Sequence, residues 1–316
     1  MPGTSRRLPL FIAPMLATPA RHLPPDADQW TAEVKWDGMR AIAAVASGRV
    51  RLWSRTGRDI TVVYPELGAL GTAAGGRTLV MDGEITALSG ARPDFTQLQR
   101  RMMLTGSPSA RLLAAVPVTL IMFDLLRIGS RDLLDSPYAQ RRQLLDELGI
   151  EVPGAVQVPP AFPGDAAALL QATRDQGYEG IMLKRPRSVY TPGRRSPTWV
   201  KIRNIRAVDV LIGGWLPGTG HRASLPGSLL VGVPGNAGLE YAGSVGTGFT
   251  QAALREIAGL LRTLEQPISP FAGMLPAPIT RHARWVSPLL SGEVAYLERT
   301  QSGRLRQPVW RGLRSG

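Results

Sequence analysis

Polar and apolar positions change rhythm several times along the chain, and each change predicts an element. Between Ala32 and Arg55 the chain reads as a hairpin: one strand-like run extends from Val34 to Ala46, Ser47-Gly48 turns, and Val50–Trp53 returns. Thr78–Leu88 and Val118–Leu126 are strongly apolar and predict two further strands. Spacings of three and four predict helices at Phe95–Leu104, Pro137–Leu148 and Ala166–Gln176. Asp94 and Ser136 would cap the first two, with Pro137 at the first helical position, and Gly177 would close the third.

Past Asn204 the texture shifts to short β-like runs between Gly/Pro turns: Val208–Trp215, Ser228–Val233, Leu239–Val245, Val294–Arg299 and Arg304–Trp310. One helix is predicted at Gln251–Leu264. Five short strands with one helix suit a small β-barrel of the oligonucleotide-binding (OB) type. Two domains are therefore expected, 1–204 and 205–316, hinged near residues 203–207; no internal repeat or long low-complexity linker interrupts them.

Composition narrows the function classes. A length of 316 residues and a hydrophobic fraction of 44% are those of an ordinary globular chain. The net charge of +13 divides into +8 (26 minus 18) before residue 205 and +5 (11 minus 6) after it, so both domains suit a polyanion such as nucleic acid. No cysteine occurs, which excludes disulfides and thiolate metal sites, and His22, His221 and His282 have no ligand spacing. His221 and His282 are expected to be exposed or phosphate-side loop residues. The apolar piece Leu8–Met15 is too short to span a bilayer and contains Pro9 and Pro14, so a cytoplasmic protein is expected.

Only three lysines, Lys35, Lys184 and Lys201, stand among 37 basic residues, leaving 34 arginines (37 minus three). Arginine supplies charge anywhere but cannot lose its proton and attack an electrophile. Lysine should therefore persist where an amine is required. On a strand, Glu33, Lys35 and Asp37 would share one face, with Gly38 ending the regular pairing. An amine between two carboxylates and followed by Arg40 suits an oriented nucleophile beside a phosphate. Arg55, in Ser54-Arg55-Thr56-Gly57-Arg58, could place its fork on a phosphate or ribose.

Lys35-Trp36-Asp37-Gly38-Met39-Arg40 resembles motif I of the covalent nucleotidyltransferases, which include ATP-dependent DNA ligases, RNA ligases and capping enzymes. Further likenesses follow in order. Asp82-Gly83-Glu84-Ile85 is similar to motif III and Phe123-Asp124 to motif IIIa. Glu179-Gly180-Ile181-Met182-Leu183-Lys184 is similar to motif IV, Trp199-Val200-Lys201 to motif V, and Arg306-Gln307-Pro308-Val309-Trp310 to motif VI. The runs Ile212–Trp215 and Gly243–Phe249 most resemble the ligase domain of bacterial ligase D, which acts in non-homologous end joining.

The resemblance implies an α+β fold, with an antiparallel-sheet adenylyltransferase domain followed by an OB-fold β-barrel. It implies that Lys35 attacks the α-phosphorus of ATP to give lysyl-AMP, that AMP passes to a 5′-phosphate, and that a 3′-hydroxyl then displaces it. Lys184 and Lys201 would neutralise phosphate oxygens and lower the Lys35 pKa. Glu179, with Glu84, would hold Mg²⁺ or Mn²⁺. Glu84 and Arg40 would contact the ribose, Phe123 would stack on adenine, and Glu33 would meet its amino edge. Asp37 would orient the site, and Arg55 and Arg306 would add nucleotide contacts. The implied partner is nicked or broken double-stranded DNA, bound by a monomer, with end-joining proteins as further partners. Since no N-terminal DNA-binding domain precedes residue 1, the two basic domains are expected to grip DNA themselves.

Two departures stand out. Arg203 takes the place of a second motif V lysine, and Arg314-Ser315-Gly316 replaces the Asp-Lys pair that commonly follows motif VI. Two other readings stay open at this level. An RNA ligase or capping guanylyltransferase shares the lysine chemistry but differs in base and acceptor; a nucleic-acid-binding protein with an inactive pocket shares only the charge.

Overall fold

The structure is a computed structural model that describes residues 10–90, 92–220, 224–300 and 302–314. His221, Ser315-Gly316 and the Leu8-Pro9 start of the apolar N-terminal piece lie outside the described residues. The chain divides into two compact units, 1–204 and 205–316.

Two sheets build the first unit. One runs Arg49–Ser54, Met39–Ala46, Leu79–Ser89, Val118–Ile128, Arg131–Asp132, with short strands added at Arg92–Pro93 and Val156–Gln157. The other runs Leu16–Ala20, Arg195–Arg203, Gly180–Lys184, Thr31–Val34, Phe162–Pro163. Pairing is mostly antiparallel, but Leu16–Ala20 lies parallel to Arg195–Arg203, and Val118–Ile128 parallel to Val156–Gln157. The sheets are thus mixed rather than purely antiparallel, because long connections bring these edge strands in from distant segments.

Burial explains the apolar runs. In Met39–Ala46, the residues Ala41, Ala43 and Val45 face a core with Leu67, Leu79 and Leu120. Ile42 and Ala44 face the opposite way, toward Trp199 and Tyr190, so the second sheet covers that side. Both faces of the strand are dry, and alternation disappears accordingly. The second sheet turns Ala32, Ile181, Leu183 and Ile202 to Leu169 and Leu170 of the Ala166–Asp175 helix. Its alternate residues, among them Glu33, Met182, Lys184 and Trp199, therefore face the first sheet.

The expected Val34–Ala46 strand is broken. Thr31–Val34 and Met39–Ala46 belong to different sheets, and residues 35–38 cross between them. Regular pairing thus ends at Lys35, and Asp37 is not on a strand face with Glu33. The hairpin beyond is present, with Ser47 at φ 50° and Gly48 at φ 73° in its turn. Helices occupy Phe95–Met102, capped by Asp94 accepting from Gln97 N, and Ala166–Asp175, followed by Gly177 at φ 76°. The middle helix is Tyr138–Glu147; Pro137, not Ser136, is its N-cap and offers no side-chain acceptor. Gly180–Lys184, Arg195–Arg203 and the Ala110–Ala115 helix were not legible as elements in the sequence pattern.

Among the described residues the second unit has a sheet of eight strands, five of them long: Arg206–Pro217, Pro226–Gly235, Gly238–Val245, Ser291–Tyr296 and Val309–Leu313. Helix Gln251–Thr263 buries Leu254, Ile257, Ala258 and Leu261; Ile257 and Leu261 join the sheet's core with Ile212 and Trp310. The last two strands differ from expectation. Val294–Arg299 begins earlier, at Ser291, and Arg304–Trp310 is a turn followed by a strand starting at Val309. Gln307 at φ 50° bends the chain before that strand can pair.

Candidate active site

Lys35 follows the last residue of Thr31–Val34, and its backbone N–H donates to Gly180 O at 2.8 Å. That bond sets the amine opposite the residue before Gly180, which is Glu179. The chain then crosses to the first sheet; the Trp36 ring packs edge-on against Tyr178, with centroids 5.5 Å apart. Two glycines make these close approaches possible. A Cβ on Gly38 would overlap the Ile85 carbonyl oxygen, and one on Gly180 (φ +146°) would overlap that of Ile202.

Lys35 Nζ forms an ion pair with Glu179 Oε2, while Arg203 Nε approaches Glu179 Oε1 at 2.9 Å. One carboxylate thus bridges two cations, at the position where a second motif V lysine was expected. Lys201 is half-buried near this group; burial, then the positive charges of Arg203 and Lys35, push its ammonium below the usual lysine range.

A second cluster forms around Glu33, buried at 5% exposure. Its Oε1 accepts from the Tyr138 hydroxyl, and its Oε2 lies 2.7 Å from Lys184 Nζ. Arg142 Nη1 stands 4.0 Å from Oε1. Lys184 is only 1% exposed and also donates to Phe123 O at 3.1 Å. Its ammonium sits 4.6 Å from the Phe123 ring centroid, 4.8 Å from Tyr138 and 4.4 Å from Trp199. Burial lowers its pKa despite the Glu33 charge. Lys184 and Lys201, equal in sequence terms, therefore occupy different environments.

Arg40 forks onto Asp82 at 2.5 and 2.6 Å, and its guanidinium lies 4.8 Å from the Phe123 centroid. Tyr190 donates to the same Asp82 at 2.6 Å. Glu84, directly opposite Arg40 across the strand pair, is pushed up to about 7 by burial. Behind Phe123, Asp124 and Arg141 form a fully buried bidentate pair at 2.7 and 2.9 Å. Asp37 is half-buried in the crossing segment, and Arg55 is exposed in the turn after the hairpin. Arg306 lies in the second unit, where it pairs with Glu298 at 2.6 Å.

Structure thus brings Glu33, Lys35, Arg40, Glu84, Phe123, Glu179, Lys184 and Lys201 into the first unit's two facing sheets. Sequence reasoning assigned no role to Tyr138, Arg142, Asp82 or Tyr190. The one available signal was the i,i+4 spacing of Tyr138 and Arg142 on the predicted helix. Among the described residues no group of three or more His, Asp and Glu could hold a metal alone. Glu179 and Glu84 carry carboxylate oxygens of the hard kind that Mg²⁺ prefers, and the Glu179 charge is among those acting on Glu84.

Two family models match the chain: the ATP dependent DNA ligase domain over residues 14–203 and the ATP dependent DNA ligase C terminal region over residues 222–316. The chain belongs to the ATP-dependent DNA ligases. It is 41% identical over 308 residues to the multifunctional non-homologous end joining protein LigD of Mycolicibacterium smegmatis, covering 97% of this chain and 39% of that one. The corresponding Mycobacterium tuberculosis protein is 42% identical over 96% of this chain and 38% of its own length. The chain therefore spans about two fifths of these relatives. The crystal structure of the ligase domain from M. tuberculosis LigD matches with a TM-score of 0.57 at 40% identity, covering 96% of this chain and 95% of that one. A mycobacterial DNA ligase D complexed with ATP and MES matches with a TM-score of 0.58, also at 40% identity and with the same coverage.

Proposed function

We propose that this chain seals 5′-phosphate/3′-hydroxyl breaks in double-stranded DNA through an AMP carried on Lys35, in the repair of double-strand breaks by end joining. The observation that carries the reading is Lys35 held against Glu179, with Lys201 and Arg203 beside it. Lys35 Nζ attacks the α-phosphorus of ATP, the bond to the β-phosphate oxygen breaks, and pyrophosphate leaves; the amine proton passes to solvent. AMP is then transferred to the DNA 5′-phosphate, freeing the lysine. The 3′-hydroxyl finally attacks that phosphate and expels AMP. Each step is phosphoryl or nucleotidyl transfer, so the residues act mainly by positioning and charge.

Lys201 and Arg203 are the cations for the α-phosphate, since both keep part of their side chains accessible. Lys184, buried and tied to Glu33, contributes its charge through that carboxylate at the base end, where Phe123 offers its ring and Glu33 its acceptor. Arg40 and Glu84 face the ribose, Asp37 orients the crossing segment, and Arg55 and Arg306 supply outer nucleotide or DNA contacts. Glu179 and Glu84 would hold Mg²⁺ or Mn²⁺, which would neutralise phosphate charge. The second unit is read as an OB-fold domain, on its five long strands with one packed helix. The end-joining wording in the names of the LigD relatives supports the repair role; the chain is read as a monomer in the cytoplasm beside the nucleoid, with end-joining proteins as further partners. No helix among the described residues is long and apolar enough to cross a membrane.

Intact-mass measurement tests the reading. Incubation with ATP and Mg²⁺ should add one AMP, pyrophosphate should remove it, and Lys35→Ala should never acquire it. Labelling by GTP alone, or sealing of nicked RNA alone, would overturn the assignment.

A further inference from the structure

The geometry points to Tyr138 as a positioning residue that sets the base-facing carboxylate of Glu33 for ATP selection, with Arg142 supporting it from the next helical turn. The inference rests on the proposed contact between Glu33 and the adenine amino edge.

Glu33 lies one residue before the end of the Thr31–Val34 strand, just ahead of the crossing between sheets, and nothing in its own strand fixes its side chain. The constraint comes from the Tyr138–Glu147 helix. Tyr138 is its first residue, 0% exposed, and the hydroxyl donates to Glu33 Oε1. That end of the helix is itself anchored: Tyr138 N donates to Ser188 O at 2.8 Å and Ala139 N to Pro186 O at 2.9 Å. The Tyr138 ring therefore cannot drift without moving the segment that follows Lys184.

Arg142 is 6% exposed; its Nη2 is bound to Asp146 Oδ1 at 2.6 Å and to Pro159 O. Its Nη1 has no hydrogen-bond partner among the described residues and faces Glu33 at 4.0 Å. A buried donor left over beside a carboxylate adds positive potential without taking up a lone pair. Lys184 reaches both carboxylate oxygens, at 2.7 Å from Oε2 and 3.0 Å from Oε1. One carboxylate with a neutral donor, a buried ammonium and a stand-off guanidinium has its plane set before nucleotide arrives. Preorganisation of an acceptor raises selectivity for a ligand that presents a matching donor, because the cost of ordering is already met.

The test compares self-adenylylation with ATP and with purine riboside triphosphate, which lacks the 6-amino group, using Tyr138→Phe, Glu33→Gln and the double variant. Tyr138→Phe keeps the ring beside Lys184 and removes only the donor. It should raise KM for ATP about tenfold, the worth of one hydrogen bond to a charged group, with kcat nearly unchanged. KM for the 6-deamino analogue should stay constant, so discrimination shrinks by the same factor. The double variant should be no worse than Glu33→Gln, since both changes act through one carboxylate. Equal losses on both nucleotides, additive losses in the double variant, or an unchanged KM would overturn the proposal. Arg142→Gln is the second variant if Tyr138→Phe melts early; it should shift KM the same way by a smaller factor, and no shift would count against the cluster. Unaltered discrimination in Glu33→Gln would remove the base contact, and the Tyr138 role with it, while AMP still reached Lys35. Absence of AMP on the wild-type lysine would instead sink the Lys35 reading.

Discussion

Lys35 and Glu179, 144 residues apart in the chain, meet in a direct ion pair whose other carboxylate oxygen is met by Arg203. The pair holds the amine against Glu179, beside Arg203. It also separates two properties of Lys35 that a deletion would confuse, namely its charge and its nucleophilicity. Lys35→Arg preserves the charge, so the variant should melt like the wild type. Mass spectrometry after incubation with ATP should show no AMP at all, because a guanidinium does not deprotonate to attack phosphorus. A detectable adduct would remove the lysine from the mechanism.

Lys184 and Lys201 should respond differently to the same substitution. Arg at position 201 enters a half-open site and retains a phosphate-facing charge, so adenylylation should slow by about tenfold or less without loss of stability. Arg at position 184 must fit a cage of Phe123, Tyr138 and Trp199, and overpacking should cost about 1–3 kcal/mol. Urea unfolding of the two variants distinguishes them; equal stabilities would contradict the caged placement.

Gly38→Ala is expected to be severe although the position is in no helix or strand. Its Cβ would meet a backbone oxygen, Ile85 O, which no rotamer change can move. The crossing segment and the Leu79–Ser89 strand would have to separate, a loss of about 2 kcal/mol or more. The added AMP should fall together with the melting temperature. A variant that melts like the wild type would show that the two sheets tolerate a wider crossing.

Glu84 makes stability depend on pH with a defined sign. Burial raises its carboxyl from 4.5 to about 7, with Arg40 and Lys35 only partly opposing. Between these values the native state holds a proton that the unfolded chain has released, so stability is full below the lower value and falls as pH rises through the upper one. Glu84→Gln mimics the protonated form. In the nucleotide-free protein its stability relative to wild type should grow between about pH 5 and pH 8, measured by urea midpoints. A difference independent of pH would mean that Glu84 is already ionised throughout.

Much of this was legible one segment at a time. Asp94 before Phe95 and Gly177 after Ala166–Gln176 marked helix ends because caps and αL glycines are local devices. The ligase motifs were legible because their chemistry needs particular side chains at short spacings. The break at Lys35 was not, since Val34 through Ala46 reads as one strand-like run and only the Gly38–Ile85 approach reveals the crossing. Gly180–Lys184 and Arg195–Arg203 were hidden for a related reason: one face carries Ile and Leu toward a helix, while the other carries Lys184, Lys201 and Arg203.

The sequence by itself singled out Lys35 as the nucleophile of the proposed reaction, because three lysines against 34 arginines (37 minus three) leave few amines to choose from, and only Lys35 sits in a pattern resembling motif I. It also showed a net positive charge spread over both halves, which suits the DNA partner proposed above. Tertiary structure alone decided how the other two lysines differ. Lys184 is closed off by Glu33 and three aromatic rings, and Lys201 stays partly open beside Arg203 and Lys35. Desolvation and pairing depend on which distant residues surround a group, and those neighbours are brought in by sheet packing rather than by adjacency in the chain.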